Sequence, residues 1–172
     1  MAESKVKSRE VETPCGKLAI GVSNGYVRYC DWVGGRNEAA NREKASRAED
    51  ASGISDDEVL NEACKQVSEY FEGRRTSFRL PLSAVGTQLG HEVWDELRRL
   101  PYGHTVTYKE LARRIGRPEA VRAVASAVAA NPLVVIPPCH RVVRSDGGLG
   151  GYSGPRGVEM KRELLDLERS HN

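Results

Sequence analysis

Hydrophobic and polar positions alternate in KLAIGVS (residues 17–23) and again in YVRYCDW (residues 26–32), with Asn24-Gly25 between the two runs. A period of two predicts strands, and Asn-Gly readily adopts the positive φ values of a tight hairpin turn, so the pair reads as two antiparallel strands. Residues 34–53 hold almost no large apolar side chain and predict a mobile or loosely helical insertion. Ser55 is expected to cap a helix through about residue 72: Val59, Leu60, Ala63, Val67 and Phe71 share one face, and Gly73 stops the run. RTSFRLPL predicts a short strand, and LPLSAVGT a link to a second half.

Beyond Thr87 the pattern is helical. Leu89, Val93, Trp94, Leu97 and Leu100 form a stripe ended by Pro101-Tyr102-Gly103, with Trp94 read as core packing. Thr107 and Glu110 have capping-box spacing at the head of TYKELARRI, which Gly116 ends. Pro118 opens PEAVRAVASAVAAN, stopped by Asn131-Pro132. Two short helices joined across Gly-Arg-Pro fit a helix-turn-helix, or the commoner helical hairpin that merely packs. In the second helix Val121, Val124, Ala125 and Val128 make the buried stripe. Its other faces carry Ala123, Ser126, Ala127, Ala129 and Ala130 with one long cation, Arg122. Small side chains permit close approach to a groove wall. A lone arginine there suits a base stack or a phosphate, or is an ordinary exposed arginine.

The fold expected is therefore an α/β (α+β) N-terminal domain with a small antiparallel sheet, residues 1–85. A mostly α-helical C-terminal domain with a helix-turn-helix, residues 86–172, follows it. Composition changes this picture little: 39% hydrophobic and 29% charged residues are an ordinary globular balance. The chain has no apolar run of membrane-spanning length and no signal peptide, so a cytoplasmic protein (nuclear in a eukaryote) with reduced cysteines is expected. Charge adds more. The net charge is +2, yet residues 101–156 hold eight Lys or Arg against three Asp or Glu, a bias that suits an anionic polymer or a solvated face.

The candidate chemistry lies in IPPCHRVVRSDGG, residues 136–148. Pro137 and Pro138 exclude regular helix before Cys139, while HRVV can start a turn after it. Backbone N–H groups are then expected to point at the sulfur and favour its thiolate. Adjacent residues diverge in direction, so His140 is expected to reach Cys139 through a water. The competing description is a small buried cysteine beside a structural histidine. Glu168 falls four residues after Leu164 and three after Leu165, on an apolar face where a carboxylate needs a partner. Either His140 is that partner, giving a Cys–water–His–Glu relay, or Glu168 sits wet at a frayed helix end.

NPLVVIPPCHRVVRSDGGLGGYSG, preceded by GTQLGHEVWDELRRLPYGHTVTYKELARRIGRPEAVRAVASAVAANP, resembles the O6-alkylguanine-DNA alkyltransferases over roughly residues 86–168. The likeness continues faintly through EYFEGRRTSFRLPL. It implies a DNA-repair protein that moves the alkyl group of O6-alkylguanine irreversibly onto its own Cys139, once per molecule, with base flipping; O4-alkylthymine stays open. His140 would act as base through water and Glu168 would hold His140. Asn131 resembles the hinge asparagine that braces the reactive turn. Tyr108 is similar to the tyrosine that crowds the 3′ phosphate and helps protonate the leaving base. Arg122 looks like the arginine that replaces the extruded guanine, on a DNA-facing helix with Ala123, Ser126 and Ala127. Tyr152 and Ser153 match the loop closing the base pocket, and the Val142 carbonyl would receive the exocyclic amine.

Three departures stand out: Leu89 and Gly90 replace the usual phenylalanine and glutamine, Pro137 is an extra proline, and YSGPRG makes a loop about two residues longer than usual, so that matching Glu168 requires a gap. Some relatives bind zinc in the N-terminal part, but no matching Cys and His set occurs here, so no metal or cofactor is expected. The expected partner is duplex DNA, with no membrane, and the expected state is a monomer. The alternative class is a non-enzymatic alkyltransferase-like lesion sensor, which lacks the acceptor cysteine; Cys139 argues against it. A helix-turn-helix transcription factor would leave PCHR and Glu168 without a role, and a thiol hydrolase would turn over repeatedly.

Overall fold

A computed structural model describes residues 5–172. The chain opens with β1 (Lys7–Thr13), β2 (Gly16–Ser23) and β3 (Tyr26–Trp32), an antiparallel sheet in the order β1-β2-β3. The expected hairpin is present: Ser23 pairs with Tyr26, and Asn24 and Gly25 have φ of 50° and 77°. Those are the two positive values a two-residue I′ turn requires. The first strand was not expected, because KSREVET is charged and mostly exposed and carries no apolar alternation.

One face of the sheet sets Leu18, Ile20, Val22, Val27, Cys30 and Trp32 against Val59, Leu60, Ala63, Val67, Tyr70 and Phe71 of α2 (Asp56–Phe71). The other face is covered by α1 (Glu38–Ser46), where Ala45 packs over Ala19 and Tyr29. Of the two alternatives expected for residues 34–53, the helical one is found: α1 is an ordered helix, not a mobile insertion. Its anchors are an alanine and a polar pair: the Asn41 amide donates to Asp31 at 2.8 Å, and both are buried. Burial pushes the Asp31 carboxyl up to about 7 even though Asn41 opposes the shift.

RTSFRLPL forms no regular strand. Leu82 makes a single bridge to Val27, with Val27 N–H donating to Pro81 O and Ser83 N–H to Val27 O. Pro81 has no N–H with which to extend a ladder. The Gln66 amide binds both backbone groups of Arg79, which fixes this link against α2.

The second half is mostly helical: α3 (Gln88–Leu97), α4 (Tyr108–Arg114), α5 (Val121–Ala129) and α6 (Val158–Ser170). Thr107 caps α4 at the Glu110 N–H, as the spacing predicts, and Thr87 caps α3 at the Gly90 N–H; Ser55, expected to cap α2, stands at its N-terminus without a side-chain cap bond. Gly90 has a packing reason: a Cβ there would lie 3.0 Å from the Trp94 ring, whose Nε1–H donates to Ala127 O on α5. That contact ties α3 to the helix-turn-helix. α5 begins at Val121 instead of Pro118, because Ala120 N–H closes a tight turn on Arg117 O.

Two short parallel strands, β4 (Val106–Thr107) and β5 (Val142–Val143), join α4 to the segment after Cys139. The two halves are stitched where Cys30 N–H donates to Pro132 O and Val134 N–H to Cys30 O. The edge of β3 therefore carries the run that leads to Cys139. Among the described residues no helix is long and apolar enough to cross a membrane.

Candidate active site

Residues 131–141 make a braced corner. Asn131, buried, donates from Nδ2 to Pro137 O at 2.8 Å and accepts the Leu133 N–H at Oδ1. Cys139 N–H also donates to Pro137 O, at 2.8 Å, and Cys139–Arg141 form one 3₁₀ turn. Val135 sits at φ 73°, costly for a β-branched residue and worth about 1–3 kcal/mol of strain held by the surrounding contacts.

Cys139 ends this corner in the lining of a cavity of about 210 Å³, together with Arg36, Tyr108, Ala125, Val128, Ala129, Gly151, Tyr152 and Ser153. The expectation of a stabilised thiolate is not met. Burial pushes the Cys139 thiol above its usual value, and the Asn131 hydrogen bond and the Lys161 charge oppose that without overcoming it. One 3₁₀ turn aligns too few peptide dipoles to offset the loss of solvent. The resting sulfur is a neutral thiol and needs a base.

His140 is fully buried. Its Nε2 lies 2.6 Å from Glu168 Oε2, and its Nδ1 has no hydrogen-bond partner among the described residues. With Nε2–H donated to the carboxylate, Nδ1 is the free acceptor. Burial holds the imidazole below its ordinary pKa despite Glu168, so it is neutral near pH 7.

Glu168 is equally buried, which removes the frayed-end alternative. Its carboxylate also accepts from Tyr70 Oη (2.5 Å), Arg141 Nε (2.8 Å), Arg141 Nη2 (2.9 Å) and Gly103 N–H (3.1 Å). Burial alone would raise its pKa; His140 and Arg141 together hold it far below the usual carboxylate range. Arg141 is completed by Leu100 O at 2.7 Å.

Tyr108 heads α4 at the cavity wall, with Lys161 Nζ 5.7 Å from its ring centroid. Burial pushes the Tyr108 phenol up and Lys161 down to about 8. Tyr152 is held by Trp32, whose Nε1–H donates to its hydroxyl at 2.8 Å, and Ser153 lies beside it in the cavity wall. Val142, whose carbonyl the resemblance assigns to the exocyclic amine, is buried at the start of β5, directly after the reactive turn. On α5, Val124 and Val128 are buried and Val121, Ala125 and Ala127 half-buried, while Arg122, Ala123, Ser126 and Ala129 are exposed.

The basic bias of residues 101–156 largely resolves into ion pairs. Glu110 takes Arg113 and Arg114, Glu92 takes Arg117, Glu168 takes Arg141, Asp146 takes Arg144, and Glu163 takes Arg156. Lys109 and Arg122 have no ion-pair partner among the described residues.

Sequence reasoning missed Tyr70, Lys161 and Arg36. Arg36 comes from the first half into the cavity wall, its N–H donating to Ser153 O at 3.0 Å. Its neighbour Asn37 donates from Nδ2 to Ala129 O at the end of α5. Arg141, counted only as surface charge, was the readable one: a buried glutamate near CHR calls for a cation.

Comparison with known proteins gives a consistent picture. Residues 11–84 match the family described as 6-O-methylguanine DNA methyltransferase, ribonuclease-like domain, and residues 88–170 match its DNA binding domain. The constitutive methylated-DNA–protein-cysteine methyltransferase of Bacillus subtilis is 37% identical over 163 residues, 92% of each chain. The inducible one is 44% identical over 116 residues, 67% of this chain and 64% of its own. A crystal structure of Mycobacterium tuberculosis OGT in complex with DNA superposes with a TM-score of 0.80 at 33% identity, covering 95% of this chain and 93% of that one.

Proposed function

The chain belongs to the 6-O-methylguanine DNA methyltransferase family, and on that premise we propose how its own residues carry out the transfer. It is a DNA-binding repair methyltransferase: the alkyl group of O6-alkylguanine in DNA passes to a cysteine of the protein. We assign that cysteine to Cys139. The target carbon is inaccessible within a stacked duplex, so the nucleotide is extruded into the 210 Å³ cavity above the sulfur. Arg122, exposed and without an ion-pair partner on a helix face of small residues, fills the gap in the stack. Ala123, Ser126, Ala127 and Ala129 let α5 approach the groove closely, and Arg36 holds a phosphate beside the extruded nucleotide.

The chemistry follows from the resting protonation states. His140 Nδ1 takes the thiol proton through one water while Glu168 steadies the resulting imidazolium. The sulfur lone pair forms an S–C bond as the C–O6 bond breaks, and the electron pair leaves with the guanine. The purine regains a proton with help from Tyr108 and departs as ordinary guanine. Asn131 and the Pro137-Pro138 corner hold the sulfur on the line of attack. The thioether product has no route back to a thiol, so each molecule acts once. We place the first half, residues 1–85, as the brace and residues 86–172 as the part that binds DNA and reacts. A protein that needs a reduced Cys139 is placed in the cytoplasm.

The observation that carries this reading is a thiol in a nucleobase-sized cavity one residue from a buried His–Glu–Arg cluster. Incubation with a duplex labelled at the O6-methyl carbon tests it: label should move to protein and plateau at one per chain, with none moved by Cys139→Ala. Tight duplex binding without transfer would make the protein a lesion sensor. Turnover beyond one equivalent would make it a hydrolase.

A further inference from the structure

Tyr70 lies near the end of α2, in the sheet-bearing half, 98 residues from Glu168. Its hydroxyl donates to Glu168 Oε2 at 2.5 Å, the same oxygen that faces His140 Nε2 at 2.6 Å, and stands 3.4 Å from that nitrogen. All three side chains are fully buried. The tyrosine ring needs no hydroxyl for its packing, because it sits edge-on or tilted against Phe71, Phe78 and Tyr102. A phenylalanine would serve that purpose without placing a polar atom in the core.

We infer that Tyr70 is a positioning residue of the proton relay, supplied by the first half, which fixes Glu168 Oε2 and through it the tautomer and basicity of His140. This rests on the proposed role of His140 as base. A hydrogen bond donated to Oε2 draws negative charge from the oxygen that His140 faces. The imidazolium is then stabilised less, and the imidazole stays neutral and available at Nδ1. The groups facing this pair are Glu168 and Lys161 of α6, Arg141 of the reactive turn, Tyr102 after α3, Cys139 beside it and Tyr70 itself. Of these, Tyr70 is the neutral donor that reaches the shared oxygen. Arg141 divides its two bonds between both carboxylate oxygens, and Gly103 binds Oε1.

Removing the hydroxyl while keeping the ring returns charge to Oε2 and makes His140 easier to protonate. Tyr70→Phe should therefore move the acidic limb of the single-turnover rate–pH profile upward by about one unit. That is about a tenfold slower reaction on that limb, with a rate within twofold of wild type on the alkaline plateau. Both a duplex and free O6-methylguanine base should show the shift, since it does not involve DNA binding. An NMR titration of the His140 ring in the same variant reads the change without any reaction, and should show a raised midpoint with Nε2 still protonated in the neutral form. An unshifted His140 midpoint, or a rate lowered by one factor at every pH, would overturn the inference and reduce Tyr70 to packing. If wild-type Cys139 itself gains no methyl group, the proposed function fails instead, a result the Tyr70 profile cannot mimic.

Discussion

Glu168 accepts hydrogen bonds from four residues while almost wholly removed from water, so its negative charge exists only because its partners hold it. Breaking such a cluster from one side leaves the other charge buried. Glu168→Gln strands the Arg141 guanidinium and should cost about 3–5 kcal/mol of stability by denaturant unfolding at pH 7. The pH dependence has a definite sign. Glu168 titrates below the ordinary carboxylate value when folded, so its contribution is complete above about pH 4.3 and is lost as the pH falls towards the folded value. Glu168→Gln should accordingly show a shallower loss of stability between pH 5 and pH 3 than wild type; an equally steep loss would remove Glu168 from the account. At this scale the sequence was partly legible. Leu164 and Leu165 put Glu168 on an apolar face, and PPCH marked the corner. Tyr70 was not legible: nothing local distinguishes an apolar-face tyrosine that bonds a carboxylate 98 residues away from one that only packs.

The elements divide according to whether their signal is local. The cap at Thr107, the Asn24-Gly25 turn and the stripes of α2 and α3 depend on residues a few positions apart, and all were readable. α1 depends on Asn41 meeting Asp31 and Ala45 meeting Tyr29, contacts that exist only once the sheet has formed. β4 and β5, two residues each, have no pattern to read. Two expectations belong to these elements. Arg122→Ala on α5 should slow repair of duplex O6-methylguanine at least tenfold while leaving reaction with the free base within twofold; equal losses would contradict a role in base extrusion. Arg36→Gln, ahead of α1, should weaken duplex binding and reduce the salt slope of log K by about 0.9, the value for one phosphate contact. An unchanged slope would return Arg36 to the rim of the cavity without a DNA contact.

Taken whole, the molecule joins a sheet-bearing half and a helical half through contacts that serve the site directly. Trp32 holds Tyr152, the β3 edge carries the run to Cys139, Tyr70 reaches Glu168, and Asn37 reaches the end of α5. Halves coupled this way should unfold together. The chain contains two tryptophans, Trp32 in one half and Trp94 in the other, so Trp32→Phe and Trp94→Phe variants each report on a single half. Each variant's fluorescence transition in denaturant should coincide with its own far-UV circular dichroism transition; separated midpoints within either would show independently folding halves.

The claim on which everything else depends is the capture of one alkyl group by Cys139. Wild-type protein in slight excess over a duplex bearing a single O6-methylguanine should be digested, and the Cys139 peptide weighed alongside the recovered DNA. The account requires one added methyl group on that peptide, equal in amount to the guanine restored, with Cys15, Cys30 and Cys64 unmodified. Restored guanine beside an unmethylated Cys139 peptide would contradict it.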